Sequence, residues 1–173
     1  MAARRAVSEC DAQITPQPLT GAVVPHPTFD ERYDPEVAEG LLAAGHRAIG
    51  GLPDYLGIEL VRFEPGRLFA RATIREELLT PFGNAHGGVI AGIVDHITGV
   101  VVYPLMKRGQ WAATTEIKLN YVAPVKAGVL DMESTVLAMT TRSAVVRGEI
   151  FSGDRLVCAA QGTLTIVDPK PPG

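Results

Sequence analysis

Gly87 and Gly88 stand where a polar turn, "PFGNA", gives way to an apolar run, "VIAGIVDHITGV". If that run is a helix, the glycines lie at its start. There the first N–H groups have no partner within the helix and point outward. Glycine carries no Cβ, so a ligand atom can come close to that backbone. A helix start of this kind suits an oxyanion forming on a carbonyl. A glycine turn that merely begins a helix needs the same residues. The spacing leaves both readings open.

Asp95 is the second chemical group. It sits inside the apolar run, and a charge in apolar surroundings is costly unless paired or used. On a helix it shares a stripe with Gly88, Gly92 and Gly99, at spacings of i, i+4, i+7 and i+11. Small residues there admit another backbone or a narrow substrate. Tight packing, with Asp95 bonded to a neighbouring backbone or cation, is the equal alternative. Gly87 and Asp95 are eight residues apart, roughly 12 Å along a helix. One small carbonyl cannot touch both in the same chain. If both serve one reaction, they come from two chains. A two-fold dimer with antiparallel helices sets Gly87 of one copy beside Asp95 of the other.

Other chemistries fit less well. His86 and Asp95 are nine residues apart, roughly 13 Å on a helix, and Asp95 and His96 point about 100° apart. No H-x-x-x-H pair is present, so no metal is expected. There is no G-x-S-x-G elbow, no G-x-G-x-x-G and no phosphate-binding P-loop. No cofactor is implied. His96 alone reads as a core histidine.

The elements that must position these groups follow from pattern. Residues 1–30 hold Pro16, Pro18, Pro25 and Pro27 without periodicity and read as a flexible arm. Asp34-Pro35 is a helix entry, with Asp34 as N-cap, for a helix over 34–50 that stops at Gly50-Gly51. "LGIELVRFE" and "RLFARATI" alternate like strands around a Pro65-Gly66 turn, which predicts a hairpin. A long helix from His86 to Leu105 is apolar nearly all round and must be wrapped by other structure. "WAATTEIKLNYVAP" sets Ala113, Thr115, Ile117, Leu119 and Tyr121 on one face, with Thr114, Glu116, Lys118 and Asn120 on the other. Three more strand patterns follow, over 128–140, 143–153 and 155–168. Joined by short turns, the four predict an antiparallel meander. The sum is an α+β fold: a six-stranded antiparallel sheet wrapped around a long central helix, one domain over 31–168, with a tail at 169–173.

The chain has 173 residues, 46% of them hydrophobic and 20% charged, with net charge −3. That fits one globular domain. It gives no reason to expect nucleic acid or a membrane as partner. Asp95 and His96 interrupt the longest apolar stretch, against a membrane span. Cys10 and Cys158 form no disulfide framework, and Cys158 reads as a buried free thiol. The N-terminal segment lacks the apolar core of a secretory signal, so a cytoplasmic location is expected.

"NAHGGVIAGIVDHITG" and the element order resemble the hot-dog fold acyl-CoA thioesterases, specifically the phenylacetate-degradation (PaaI-like) branch. The likeness spans roughly Tyr55 to Val167. It implies that the Gly87 N–H, with Gly88, polarises a thioester carbonyl. It implies that Asp95 of the partner subunit is nucleophile or general base. His86 and Asn84 would orient the thioester or the water, and Thr114 matches a Ser or Thr that the family places near the acid. Many members carry Asn or Gln six residues before the His, where this chain has Thr80. The family holds coenzyme A phosphates with basic residues, for which Arg142 and Lys126 are the candidates. A homodimer is then the minimal unit and a homotetramer the expected assembly. A non-catalytic acyl-CoA-binding or regulatory hot-dog protein would not need a carboxylate at the thioester. Hot-dog hydratases carry a His and a separate acid in a different motif, absent here.

Overall fold

The computed structural model describes residues 28–45 and 50–169. Most of the expected arm, residues 46–49 of the helix expected over 34–50, the tail beyond residue 169, and Cys10 lie outside the described residues. The helix α1 runs Pro35–Gly45. Asp34 caps it as expected: one carboxylate oxygen accepts from the backbone N–H of Glu36 at 3.0 Å and of Val37 at 3.3 Å. Its other oxygen accepts from the Arg108 guanidinium at 3.0 Å. That hydrogen bond is the main reason the Asp34 carboxyl titrates below its ordinary range. Gly50 and Gly51 have φ of 83° and 89°, where no helix continues. A short helix absent from the pattern reading, α2 (Leu52–Tyr55), starts directly after Gly51, with Pro53 in its first turn.

The hairpin forms as expected from β1 (Ile58–Glu64) and β2 (Arg67–Ile74). A bulge at Val61 turns that side chain outward and leaves Leu60 and Phe63 as the buried pair. The long helix is shorter than its apolar pattern. The helix α3 is Gly87–Val100, and a 3₁₀ turn at Tyr103–Leu105 follows it. Pro104 has no N–H to donate and its ring collides with the preceding turn, so the α-helix stops there. The stretch Gly87–Leu105 is apolar enough to cross a membrane by length and composition. Here it packs Ile90, Ile93, Val94, Ile97 and Val101 against the sheet.

The last four strands are β3 (Trp111–Tyr121), β4 (Gly128–Met139), β5 (Ser143–Ser152) and β6 (Arg155–Val167). All six strands form one antiparallel sheet in the order β1-β2-β4-β5-β6-β3. The expected four-strand meander is therefore wrong by one strand. β4, β5 and β6 meander, whereas β3 sits at the far edge beside β6. The segment 122–127 carries the chain across. Six residues reach about 20 Å when extended, and three strand spacings are about 14 Å. The crossover is tied down as it passes: Val122 N–H donates to Val157 at 2.8 Å, and Val125 C=O accepts from Ala85 at 2.8 Å. The sheet curls around α3, with Leu68, Ile74, Leu130, Val146, Ile150 and Leu164 fully buried beneath it. Cys158 is a buried free thiol within this core, and burial pushes its pKa up.

Candidate active site

The sequence set at the helix start acquires a definite geometry. His86 is the N-cap of α3, with extended backbone at φ −64° and ψ 138°. Its Nδ1 accepts from the Gly88 N–H at 2.9 Å. A neutral ring that accepts at Nδ1 carries its proton on Nε2. The exposed His86 thus has an outward donor left over. The Gly88 N–H, expected to face a ligand, is already engaged. The Gly87 N–H makes no hydrogen bond among the described residues. Asn84 lies in the turn before the helix, where its carbonyl accepts from Thr80 N–H at 2.7 Å. That bond places Thr80 and Asn84 in the same turn. Gly83, at φ 71°, makes the turn possible. Its carbonyl accepts from Lys126 Nζ at 3.0 Å.

Asp95 occupies the outward face of α3 and is exposed. The expectation of a charge buried in an apolar helix does not hold within one chain. The helix is apolar on the face toward the sheet and open on the opposite one. The small-residue stripe also divides. An added Cβ at Gly92 would lie 3.1 Å from Leu56, so this glycine gives clearance to α2. A Cβ at Gly88 would lie 3.1 Å from the His86 ring, whereas one at Gly99 would meet nothing within 4 Å. Only part of the stripe is room for an incoming molecule.

Thr114 reaches the helix side of the sheet by a device that strict alternation misses. A bulge leaves Thr115 unpaired between Thr114 and Glu116. Upstream of it, Ala112 and Thr114 stand opposite the buried Ile166 and Leu164. Downstream, Ile117, Leu119 and Tyr121 stand opposite the buried Gly162, Ala160 and Cys158. Thr114 therefore joins Ile117 on the face toward α3, and Ala113 leaves it. The neighbouring strand has Gly162 at this point, where an added Cβ would lie 2.9 Å from the Glu116 carbonyl.

The two basic candidates are at opposite ends of the protomer. Lys126 is beside the loop that precedes α3. Arg142 lines a cavity of about 440 Å³ past the other end of the helix, with Arg32, Lys107, Gln110 and Asp168. Pattern reading missed Arg32 and Lys107, because only the folded chain brings them to Arg142. It also missed Tyr121 as a neighbour of the helix start. The Tyr121 hydroxyl donates to the Gly87 carbonyl at 3.1 Å. Beside it runs a groove of about 340 Å³ lined by Gly87, Ile90, Tyr121 and the crossover segment.

His96 is half-buried next to Asp95 in sequence. Burial lowers its imidazole pKa, and the Asp95 charge opposes the shift more weakly. Below about pH 6.5 the unfolded chain then binds more protons than the folded one, so stability rises with pH. The neutral ring is fully tolerated above that pH, and stability is lost as pH falls through it. His96→Gln is expected to flatten the fall in urea midpoint between about pH 6.5 and 5.

A family model for the thioesterase superfamily matches residues 82–159, from the turn before α3 into β6. A Saccharolobus solfataricus protein, SSO1253, an esterase by name alone, is 31% identical over 114 residues, which make up 65% of this chain and 75% of that protein. The 1,4-dihydroxy-2-naphthoyl-CoA hydrolase of Listeria monocytogenes is 24% identical over 117 residues, 67% of this chain and 95% of its own length. The solved structure of the PaaI protein from the E. coli phenylacetic acid degradation operon has a TM-score of 0.68 at 17% identity, covering 77% of this chain and 98% of that one. At that identity the fold is what the two share.

Proposed function

The chain belongs to the thioesterase superfamily, and from that premise we propose that it hydrolyses an acyl-CoA thioester to a free acid and coenzyme A at sites shared between two subunits. The observation that carries this reading is one helix with an uncommitted Gly87 N–H at its start and an exposed Asp95 two turns on. The Gly87 N–H polarises the thioester carbonyl and holds the oxyanion as it forms. Asp95 delivers the nucleophile, either its own carboxylate oxygen or a water whose proton it takes. The carbon–sulfur bond breaks and the coenzyme leaves as a thiolate that takes up a proton. By the carboxylate route a water then hydrolyses the acyl–Asp95 anhydride and regenerates Asp95, and by either route the acyl group leaves as the acid. His86 Nε2–H and Asn84 orient the thioester or the water, and Thr114 supports the acid from β3.

The roughly 12 Å between Gly87 and Asp95 requires a second chain, and two features suit one. β3 is an edge strand that pairs only with β6 among the described residues; Trp111 and Tyr121 are exposed at its ends, with Val122 just beyond. An unpaired edge is a template for another strand. Two copies joined along β3 by a two-fold axis bring their α3 helices side by side and antiparallel. Gly87 of one copy then meets Asp95 of the other. The same arrangement turns the Lys126 end of one copy toward the Arg142 end of the second, so that both flank a coenzyme phosphate. Two such dimers make the homotetramer.

Wild-type protein is expected to release free thiol from at least one acyl-CoA in a panel of aromatic, short and long acyl groups, and to run as a dimer or larger by mass. A monomer with full activity would overturn the shared site. Lack of thiol release across the panel would overturn acyl-CoA as the substrate class.

A further inference from the structure

The Gly87–Gly88 peptide is held at both of its polar ends. Its N–H donates to His86 Nδ1 at 2.9 Å, and its C=O accepts from the Tyr121 hydroxyl at 3.1 Å. We propose that Tyr121 is a positioning residue for the oxyanion donor: with the His86 ring it holds the Gly87–Gly88 peptide. The His86–Gly87 peptide, which carries the donor N–H, is held by its carbonyl accepting from Val89 N–H at 2.9 Å, so the two plates together narrow the φ and ψ of Gly87. This rests on the role proposed above for that N–H and extends it to a residue on another element.

A peptide group is a planar plate, and its backbone freedom lies in the φ and ψ on either side. Both flanking residues here are glycines, which restrict those angles least. The start of α3 is held by Val89 and Ile90 N–H on the His86 carbonyl, and contacts from outside the helix narrow it further. His86 supplies one from the same turn. Tyr121 supplies the other from a strand: its backbone pairs with Cys158 in the β3–β6 ladder, and Val122 next to it donates to Val157 at 2.8 Å. A hydroxyl held on a strand is placed more narrowly than one on a loop. The ring also walls Gly87, where an added Cβ would sit 3.5 Å from it. An oxyanion donor acts only on the transition state, so a misdirected N–H lowers turnover and leaves ground-state binding alone.

The test compares Tyr121→Phe, Asp95→Asn and wild type as full-length proteins. For Tyr121→Phe, kcat and kcat/KM are expected to fall together by about tenfold, with KM within about twofold of wild type. A coenzyme A analogue with a trifluoromethyl ketone in place of the thioester, which adds a nucleophile to form a tetrahedral oxyanion, should bind about tenfold more weakly, in proportion to the lost donor alignment. A thioether analogue without the carbonyl oxygen should bind as before. Equal loss for both analogues, together with a lowered melting point, would make the tyrosine merely structural and overturn the proposal. A fluorinated tyrosine at 121 whose phenol ionises below neutral pH keeps the ring and is expected to add a falling limb to the pH–rate profile, because a phenolate cannot donate. Absence of that limb would also overturn it. Wild-type kcat in Tyr121→Phe beside an inactive Asp95→Asn removes this inference alone. An active Asp95→Asn removes the catalytic reading beneath it.

Discussion

Asp95→Asn is expected to lower kcat for acyl-CoA hydrolysis by about a thousandfold or more and to leave the fold intact. Asparagine has nearly the same shape and still forms hydrogen bonds, but it neither attacks a carbonyl nor takes a proton from water. Asp95 is exposed in the protomer, so the change leaves no buried partner stranded. The measurement is thiol release under saturating substrate, with circular dichroism and a thermal melt on the same sample. Activity within tenfold of wild type would remove Asp95 from the chemistry.

The second large effect is recovery of activity from two inactive proteins. Gly87→Pro deletes the proposed donor N–H with little other change. Gly87 is the first helical residue, the one helix position that proline suits. His86 before it already has the extended backbone that a following proline requires. Alone, Gly87→Pro is expected to lose at least about a hundredfold in kcat. Mixed with Asp95→Asn under conditions that exchange subunits, half of the dimers become hybrids. Each hybrid has one site with both defects and one with neither. About a quarter of wild-type activity should return, the statistical share for two-fold sites built across subunits. If donor and acid belonged to one chain, both sites of the hybrid would stay dead. No recovery, with exchange verified by mass, would therefore rule out the shared site.

Much of the site is legible in the chain because it is local. The glycines, the N-cap histidine and the acid fall on a single helix, and their spacing alone gives the distance on which the proposed second subunit rests. What the pattern hides is decided by distant parts of the chain. The Pro124–Gly128 stretch looks like a hairpin turn, yet it is a crossover, because the place beside β4 is taken by β2 and β5. Thr114 seems to face away from Ile117 until the bulge at Thr115 shifts the alternation. The helix α2 is four residues with a proline and carries too little period to register. Asp95 reads as buried because hydropathy describes the whole helix, whereas the sheet covers only one of its faces.

The crossover also sets the order in which the machinery can be completed. β3 is synthesised before β4, β5 and β6, yet its only strand partner among the described residues is the last of these. A growing chain thus carries the helix start, the acid and an unpaired β3 well before β6 exists to seat Thr114 and Tyr121. Pairings between distant segments close late, because loop entropy is lost before contacts compensate it. The free edge of β3 is therefore the last part of the sheet to take shape. If two copies pair along β3 as proposed, their assembly waits on the strand that completes this edge.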